Sequence, residues 1–225
     1  MRNRNILLSV LAVITVTVFL VTLSQNLVVR TAEVYSFYFN DSSAVSKLYV
    51  DFTNNEFADE IVRFMNSWKP DEFQIYEDTG YDMQRIFDED ESYNMMCVKK
   101  WVDISLILCI VSFILTVAIY WYLIVKENEK KLLRRGFRFA AVIGAVISAT
   151  EVFLFLSNRG RHFLADSMNM ITLPEDAKLL TVLGPEFMST AVIFLVIVSS
   201  RIRRGNLCEL QTDKITKDFL LTDIF

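Results

Sequence analysis

The chain has 225 residues, of which 53% are hydrophobic, and its formal net charge is −4 at pH 7. This acidic balance argues against nucleic-acid binding. The three cysteines lie in three different sequence environments, so the pattern predicts neither a disulfide framework nor a metal site. No phosphate-binding glycine loop and no nucleophile elbow occur in the sequence, and we therefore expect no cofactor.

Four apolar runs of at least 18 residues are the strongest pattern in the chain. An α-helix rises ~1.5 Å per residue, so each run is long enough to cross a hydrocarbon core of ~30 Å. The runs are residues 6–29, 104–125, 139–156 and 179–200, and their only Asp, Glu, Lys or Arg residues are Glu151 and Glu186. The sequence therefore predicts an all-α membrane protein with four transmembrane helices. We expect the first within 1–30, and the others in a three-helix region, 101–204, at 102–125, 137–156 and 179–200.

The first run is open to two interpretations, a cleavable signal peptide or a transmembrane anchor. It extends over residues 6–29, which is long for a signal peptide, and no small-residue cleavage motif follows it. We therefore expect it to stay in the chain as the first transmembrane helix.

The charges between the runs predict the orientation of the chain in a membrane. Residues 126–135 carry five basic and two acidic side chains, and three arginines lie within 201–204. Residues 30–100 instead carry 7 basic and 15 acidic side chains. Because Lys and Arg accumulate on the cytoplasmic side, we expect a multi-pass protein of the cell membrane with both termini in the cytoplasm. The tail 205–225 is then cytoplasmic, and residues 31–100 are extracellular.

Residues 31–100 are predicted to form a small, mostly helical extracellular domain between the first two transmembrane helices. Apolar side chains recur at helical spacing over 55–68, which predicts an amphipathic helix. Residues 73–76 are expected to be extended. The acidic run 88–91 suits a helix N-terminus, where the macrodipole favours negative charge. We expect that helix to continue into the second transmembrane helix without a break.

Ionisable side chains near the predicted outer boundary are the candidates for chemistry. His162 is the only histidine, and imidazole exchanges protons near neutral pH. Glu151 and Glu186 lie within membrane runs, where a carboxylate is costly unless it faces a cavity or a partner. We expect these three residues and the segment Glu91–Lys99 to converge on one outer pocket. The alternatives are a solvated His162, a Glu151 bonded to a neighbouring helix, and a Glu186 that starts a helix after Pro185.

Two segments of the chain carry a resemblance to a known family. They are Glu91–Lys99 (ESYNMMCVK) and residues 161–187, which run from RH through LP to LGPEF. Both resemble stretches of the lipoprotein intramolecular transacylases of Gram-positive bacteria, and the first resembles the stretch that precedes that family's second transmembrane helix. Two departures stand out: Asn94 occupies the place of the family's first outer histidine, and Cys97 that of an aspartate.

The resemblance implies an activity and a set of site residues. The family moves the sn-2 acyl chain of a diacylglyceryl lipoprotein onto the amine of the N-terminal cysteine, which produces a lyso-form lipoprotein. The implied partner is a bacterial lipoprotein or a phospholipid in the outer leaflet of the membrane. His162 is then the expected general acid and base, and Asn94 a hydrogen-bond donor to the oxyanion. The expected pocket residues are Glu91, Glu151, Glu186 and Arg161.

A second function remains open from the sequence. Because Asn94 cannot relay a proton as histidine does, the chain is alternatively a diverged, non-catalytic lipid- or lipoprotein-binding membrane protein.

Overall fold

The computed structural model describes residues 2–68, 73–78, 82–125 and 130–203. The predicted tail at 205–225 lies outside the described residues. Helices dominate the described part, with one short antiparallel hairpin of strands β1 and β2. The elements are α1 (Arg2–Val29), α2 (Ala32–Ser42), a 3₁₀ turn (Ser46–Leu48), α3 (Asn54–Asn66), β1 (Tyr76–Asp78), β2 (Met83–Arg85), α4 (Glu89–Val125), α5 (Lys130–Leu156), α6 (Asn158–Ser167), α7 (Lys178–Leu183) and α8 (Pro185–Arg203).

The chain is a multi-pass membrane protein. Four segments of the described part are long and apolar enough to cross a membrane: Ile6–Val29, Glu89–Val125, Arg135–Leu156 and Lys178–Val198. These segments agree with the four predicted transmembrane helices.

The fourth predicted helix is divided in two. Helix α7 ends at Leu183, and α8 begins at Pro185, which has no backbone N–H to donate to the preceding turn. Gly184 lies between them so close to the α7 backbone that a Cβ would come within 2.0 Å of the Leu180 carbonyl oxygen. The sequence Gly184-Pro185 therefore sets the position of the break.

Helix α1 is the central helix of the membrane bundle and packs against α4, α5 and α8. The face of α5 that meets α1 is made of small residues at four-residue spacing, Gly136, Ala140 and Gly144. The Thr17 hydroxyl of α1 donates to the Ala140 carbonyl over 3.3 Å. Small side chains let two membrane helices approach closely, which maximises van der Waals contact where hydrophobic driving force is weak.

The region between α1 and α4 has an aromatic core that continues into the bundle. Phe39, Phe57 and Phe73 are fully buried there. The Tyr35 ring of α2 stacks on Phe187 of α8 at a centroid distance of 5.0 Å. Burial raises the pKa of the Tyr35 phenol, against the opposing effect of the positive charge of Arg30 nearby. The region between α1 and α4 and helix α8 thus share one hydrophobic core.

Helix α3 begins with a capping box and ends earlier than predicted. Thr53 accepts from the Glu56 backbone N–H while the Glu56 carboxylate accepts from the Thr53 backbone N–H. Hydrogen bonds from Thr53 lower the pKa of the Glu56 carboxyl. The helix ends at Asn66, and Trp68, the last residue of the amphipathic helix predicted over 55–68, is 92% exposed.

Helix α4 runs unbroken from Glu89 to Val125, which confirms the continuous helix predicted from the acidic run. Helix α2 and the β1–β2 hairpin were not predicted. The extended segment expected at 73–76 continues into β1, which begins at Tyr76.

Candidate functional site

A line of hydrogen-bonded polar side chains connects the membrane helices, starting at Glu151 of α5. The Glu151 Oε1 atom accepts from Gln25 Nε2 of α1 at 2.7 Å. The Gln25 Oε1 atom accepts from the Ser105 hydroxyl of α4 at 3.0 Å. These three side chains join α1, α4 and α5 at one level. Within the described part of the chain, the buried Oε2 atom of Glu151 has no hydrogen-bond partner.

This contact confirms that Glu151 faces the bundle rather than lipid, as predicted from the cost of a lipid-facing carboxylate. It also agrees with the alternative given for this residue, in which the Glu151 carboxyl is bonded to a neighbouring helix and has no role in a pocket. The unpartnered oxygen leaves Glu151 with capacity to accept one more hydrogen bond.

The polar line continues from Ser105 to a charged cluster. Asn26 Nδ2 donates to the Ser105 hydroxyl at 3.1 Å, and Asn26 Oδ1 accepts from Arg30 Nε at 3.1 Å. Arg30 then pairs with Asp103 at 2.7 Å, and Lys99 pairs with the other Asp103 oxygen at 3.2 Å. We name Arg30, Lys99 and Asp103 the boundary cluster, since they lie where α1 and α4 leave the apolar bundle.

The boundary cluster holds the C-terminal end of α3. Lys99 is only 2% exposed, and its ammonium donates to the carbonyls of Ser67 at 2.7 Å and Met65 at 3.3 Å. Arg30 also donates to the Met65 carbonyl. Helix C-termini carry unsatisfied carbonyls and a partial negative charge, which cations satisfy. The cluster therefore holds the region between α1 and α4 against the membrane helices.

Asn94 is 1% exposed and pairs with the backbone of one residue at two points. Its Nδ2 donates to the Ile171 carbonyl at 2.8 Å, and its Oδ1 accepts from the Ile171 N–H at 2.7 Å. One turn along α4, the Cys97 thiol lies 4.0 Å from the Asn169 carbonyl. The segment that follows α6 is thus held against the start of α4.

His162 lies on α6, directly before that held segment, and its side chain is exposed. In the described part of the chain it has no hydrogen-bond partner. The sequence predicted an interfacial histidine just beyond the third transmembrane helix, and the structure places it on a separate short helix. The imidazole is therefore accessible to an incoming group.

The other predicted pocket residues bond to helix ends. Glu91 is buried and accepts from the backbone N–H groups of Asp88 and Leu179, each at 2.8 Å, so it caps both α4 and α7. Arg161 donates to the carbonyls of Phe155 and Leu156 at the end of α5.

Glu186 occupies the first turn of α8 after Pro185, in agreement with the helix-start alternative. The pKa of the nearby Tyr38 phenol is raised, mainly by burial. A hydrogen bond with Ser42 opposes this rise, and the negative charge of Glu186 adds to it.

These contacts define two groups rather than one continuous pocket. Asn94, Cys97 and the segment after α6 form the first group, beside the helix that carries His162. The line from Glu151 to the boundary cluster forms the second. No group of three or more His, Cys, Asp or Glu side chains is placed to hold a metal ion within the described residues.

Several members of the second group were missed from the sequence. Gln25, Asn26 and Ser105 are uncharged polar residues within or beside apolar runs. The sequence pattern that could have indicated this group is the four-residue spacing of Asn26 and Arg30, which places both on one face of α1.

The arrangement of helices matches that of solved structures. The structure of the membrane-integral lipoprotein intramolecular transacylase Lit from Bacillus cereus superposes with a TM-score of 0.66, covering 96% of this chain and 100% of that one. The chain has the Lit fold.

A second structure, of Lit carrying a histidine-to-arginine substitution, matches with a TM-score of 0.64 over 90% of this chain and 92% of its own. Sequence identity to Lit is 13% in both cases, so the likeness is one of fold. No protein-family model matches the chain, and no curated protein does. The family resemblance seen in the two sequence segments is thus confirmed as a shared fold.

Proposed function

We propose that this chain modifies lipoproteins by the reaction named for Lit, transferring an acyl chain within a diacylglyceryl lipoprotein. The observation that carries the proposal is the Lit fold over 96% of the chain, combined with an exposed histidine on α6. The substrate is a bacterial lipoprotein in the outer leaflet of the cell membrane, with its N-terminal cysteine at the interface beside His162.

The chemistry requires one group that accepts a proton and later returns it. His162 takes a proton from the cysteine amine as the nitrogen attacks the carbonyl carbon of the sn-2 ester. A C–N bond forms and the C–O bond to the glyceryl group breaks. The imidazolium then protonates the departing glyceryl oxygen. Because amine and ester belong to one molecule, holding both in one site supplies a high effective concentration.

Asn94 has two roles in this proposal. Its pairing with Ile171 positions the segment that follows the His162 helix. The amide nitrogen carries two hydrogens, and one is used on the Ile171 carbonyl, so the second is available for the oxyanion. Because Asn94 is buried, the substrate oxygen reaches that hydrogen only if the segment around Ile171 moves.

The second candidate is a non-catalytic lipid- or lipoprotein-binding protein. The observation that favours it is also the Asn94–Ile171 pairing, because it gives Asn94 a structural task that needs no reaction. An asparagine that only holds a loop is consistent with a chain that kept the Lit fold and lost its chemistry.

The experiment is mass spectrometry of N-terminal lipopeptides from a bacterial host that lacks its own transacylase. We expect the wild-type chain to produce lyso-form lipoprotein, and His162→Ala and His162→Gln to produce none, because neither replacement relays a proton. Asp166→Ala is the matched control, since Asp166 is exposed one turn further along α6. Its product level should equal that of wild type.

Two outcomes contradict the proposal. Equal product from wild type and His162→Ala would exclude His162 as the acid and base. No product from wild type, together with product from Asn94→His, would favour the non-catalytic candidate.

A further inference from the structure

Two arginines lie on the side of α5 that faces away from α1. Gly136, Ala140 and Gly144 form the contact with α1. Arg135 and Arg138 line a shallow groove on another face of the same helix, together with Phe139 and Val142. Their spacing of three, four and seven residues places all four on one helical face.

Neither arginine has a hydrogen-bond or ion-pair partner among the described residues. By contrast, Arg30 and Lys99 of the boundary cluster are both paired with Asp103. The apolar membrane segment of α5 begins at Arg135, so Arg138 lies one turn inside it. A guanidinium at that depth is costly unless it reaches the interface and an anionic partner, and five N–H donors suit a phosphate.

The rest of the groove fits an apolar tail. Phe139 is 66% exposed and Val142 is 63% exposed. They lie about 6 and 10 Å further along the helix axis than Arg135, toward the membrane centre. A ligand with an anionic head and a hydrocarbon chain parallel to α5 therefore covers both halves of the groove. A soluble phosphate would contact the arginines alone.

We propose that Arg135 and Arg138 form a binding site for the phosphodiester headgroup of an anionic phospholipid, with its acyl chain along Phe139 and Val142. The site is separate from the proposed reaction, because Arg135 and Glu151 are about 24 Å apart along α5. Among the described residues the groove is lined by two guanidinium groups and no carboxylate. This lining favours a headgroup with net negative charge, since the cation of a zwitterionic headgroup would be repelled. The proposal does not depend on the proposed function.

The test measures lipid binding to the purified full-length chain in detergent by native mass spectrometry and by thermal unfolding. The probes are phosphatidylglycerol, phosphatidylcholine and inorganic phosphate. We expect phosphatidylglycerol to bind and to raise the unfolding temperature more than either of the others. Each arginine near a membrane surface is worth roughly a fivefold change in affinity, so Arg135→Gln/Arg138→Gln should weaken phosphatidylglycerol binding about 30-fold.

The control is Arg159→Gln, because Arg159 is exposed on α6 at the other end of α5. Its binding of phosphatidylglycerol should match wild type. If the glutamine pair does not fold, Arg135→Lys/Arg138→Lys keeps both charges but removes the planar donor fork, and we expect a smaller loss of affinity. Unchanged binding by the folded glutamine pair, or an equal loss with Arg159→Gln, would overturn the site. Equal stabilisation by inorganic phosphate would overturn the choice of a lipid.

Discussion

The buried ammonium of Lys99 should contribute measurably to stability. Lys99→Met keeps the apolar length of the side chain and removes the hydrogen bonds to the carbonyls of Ser67 and Met65 and the ion pair with Asp103. Arg30 remains bonded to Met65 and Asp103, so part of the boundary cluster persists. A hydrogen bond to a charged group is worth about 1.5–3 kcal/mol, and we expect a total loss of ~2–3 kcal/mol.

Thermal unfolding of the purified protein, followed by tryptophan fluorescence, measures this loss. For a chain of this size, 1 kcal/mol shifts the unfolding temperature by about 2–4 °C, so Lys99→Met should unfold roughly 4–12 °C below wild type. Lys100→Met is the matched control, since the neighbouring Lys100 is exposed, and it should shift the temperature by less than about 2 °C. Equal unfolding temperatures for the two variants would refute the assigned role of the boundary cluster.

Three further predictions concern the bundle, the segment after α6 and the orientation. Asn94→Ala removes both bonds to Ile171 and should destabilise the protein by about 2–3 kcal/mol in the same assay. An unfolding temperature equal to that of wild type would contradict a structural role for this pairing. Gly144→Leu should lower the unfolding temperature more than Gly144→Ala, whose Cβ would lie 3.9 Å from Val21; equal effects would contradict close packing of α1 on α5. An impermeant thiol reagent should label Asp78→Cys in intact cells and leave Cys208 unlabelled. Labelling of Cys208 would contradict the predicted orientation.

The transmembrane helices were predictable because their apolar length is a local property of the sequence. The continuation of α4 from Glu89 was predictable for the same reason, since an acidic first turn marks a helix start. A helix start at Pro185 was one of the alternatives for Glu186, although the length of the apolar run predicted one continuous helix over 179–200. The end of α3 at Asn66 was not predictable, because Lys99 and Arg30, distant in sequence, bind its last carbonyls.

The candidate site was predictable only where a residue's chemistry is rare. His162 was found because it is the only histidine, and Glu151 because a charge in an apolar run is unusual. Gln25 and Ser105, which complete the contacts of Glu151, carry no charge and gave no signal of their own. The pairing of Asn94 with Ile171 joins residues 77 positions apart, so no local sequence pattern could predict it.

The proposed transfer is tested most directly with the purified chain and a synthetic diacylglyceryl lipopeptide whose sn-2 acyl chain carries an isotopic label. We predict that fragmentation of the product by mass spectrometry will place the label on the cysteine nitrogen, with a free hydroxyl at the sn-2 position. The same substrate with an acetylated amine should remain unchanged, because its nitrogen can no longer attack the ester. A label that stays on the glyceryl group after incubation with folded, membrane-reconstituted protein would contradict the proposed function.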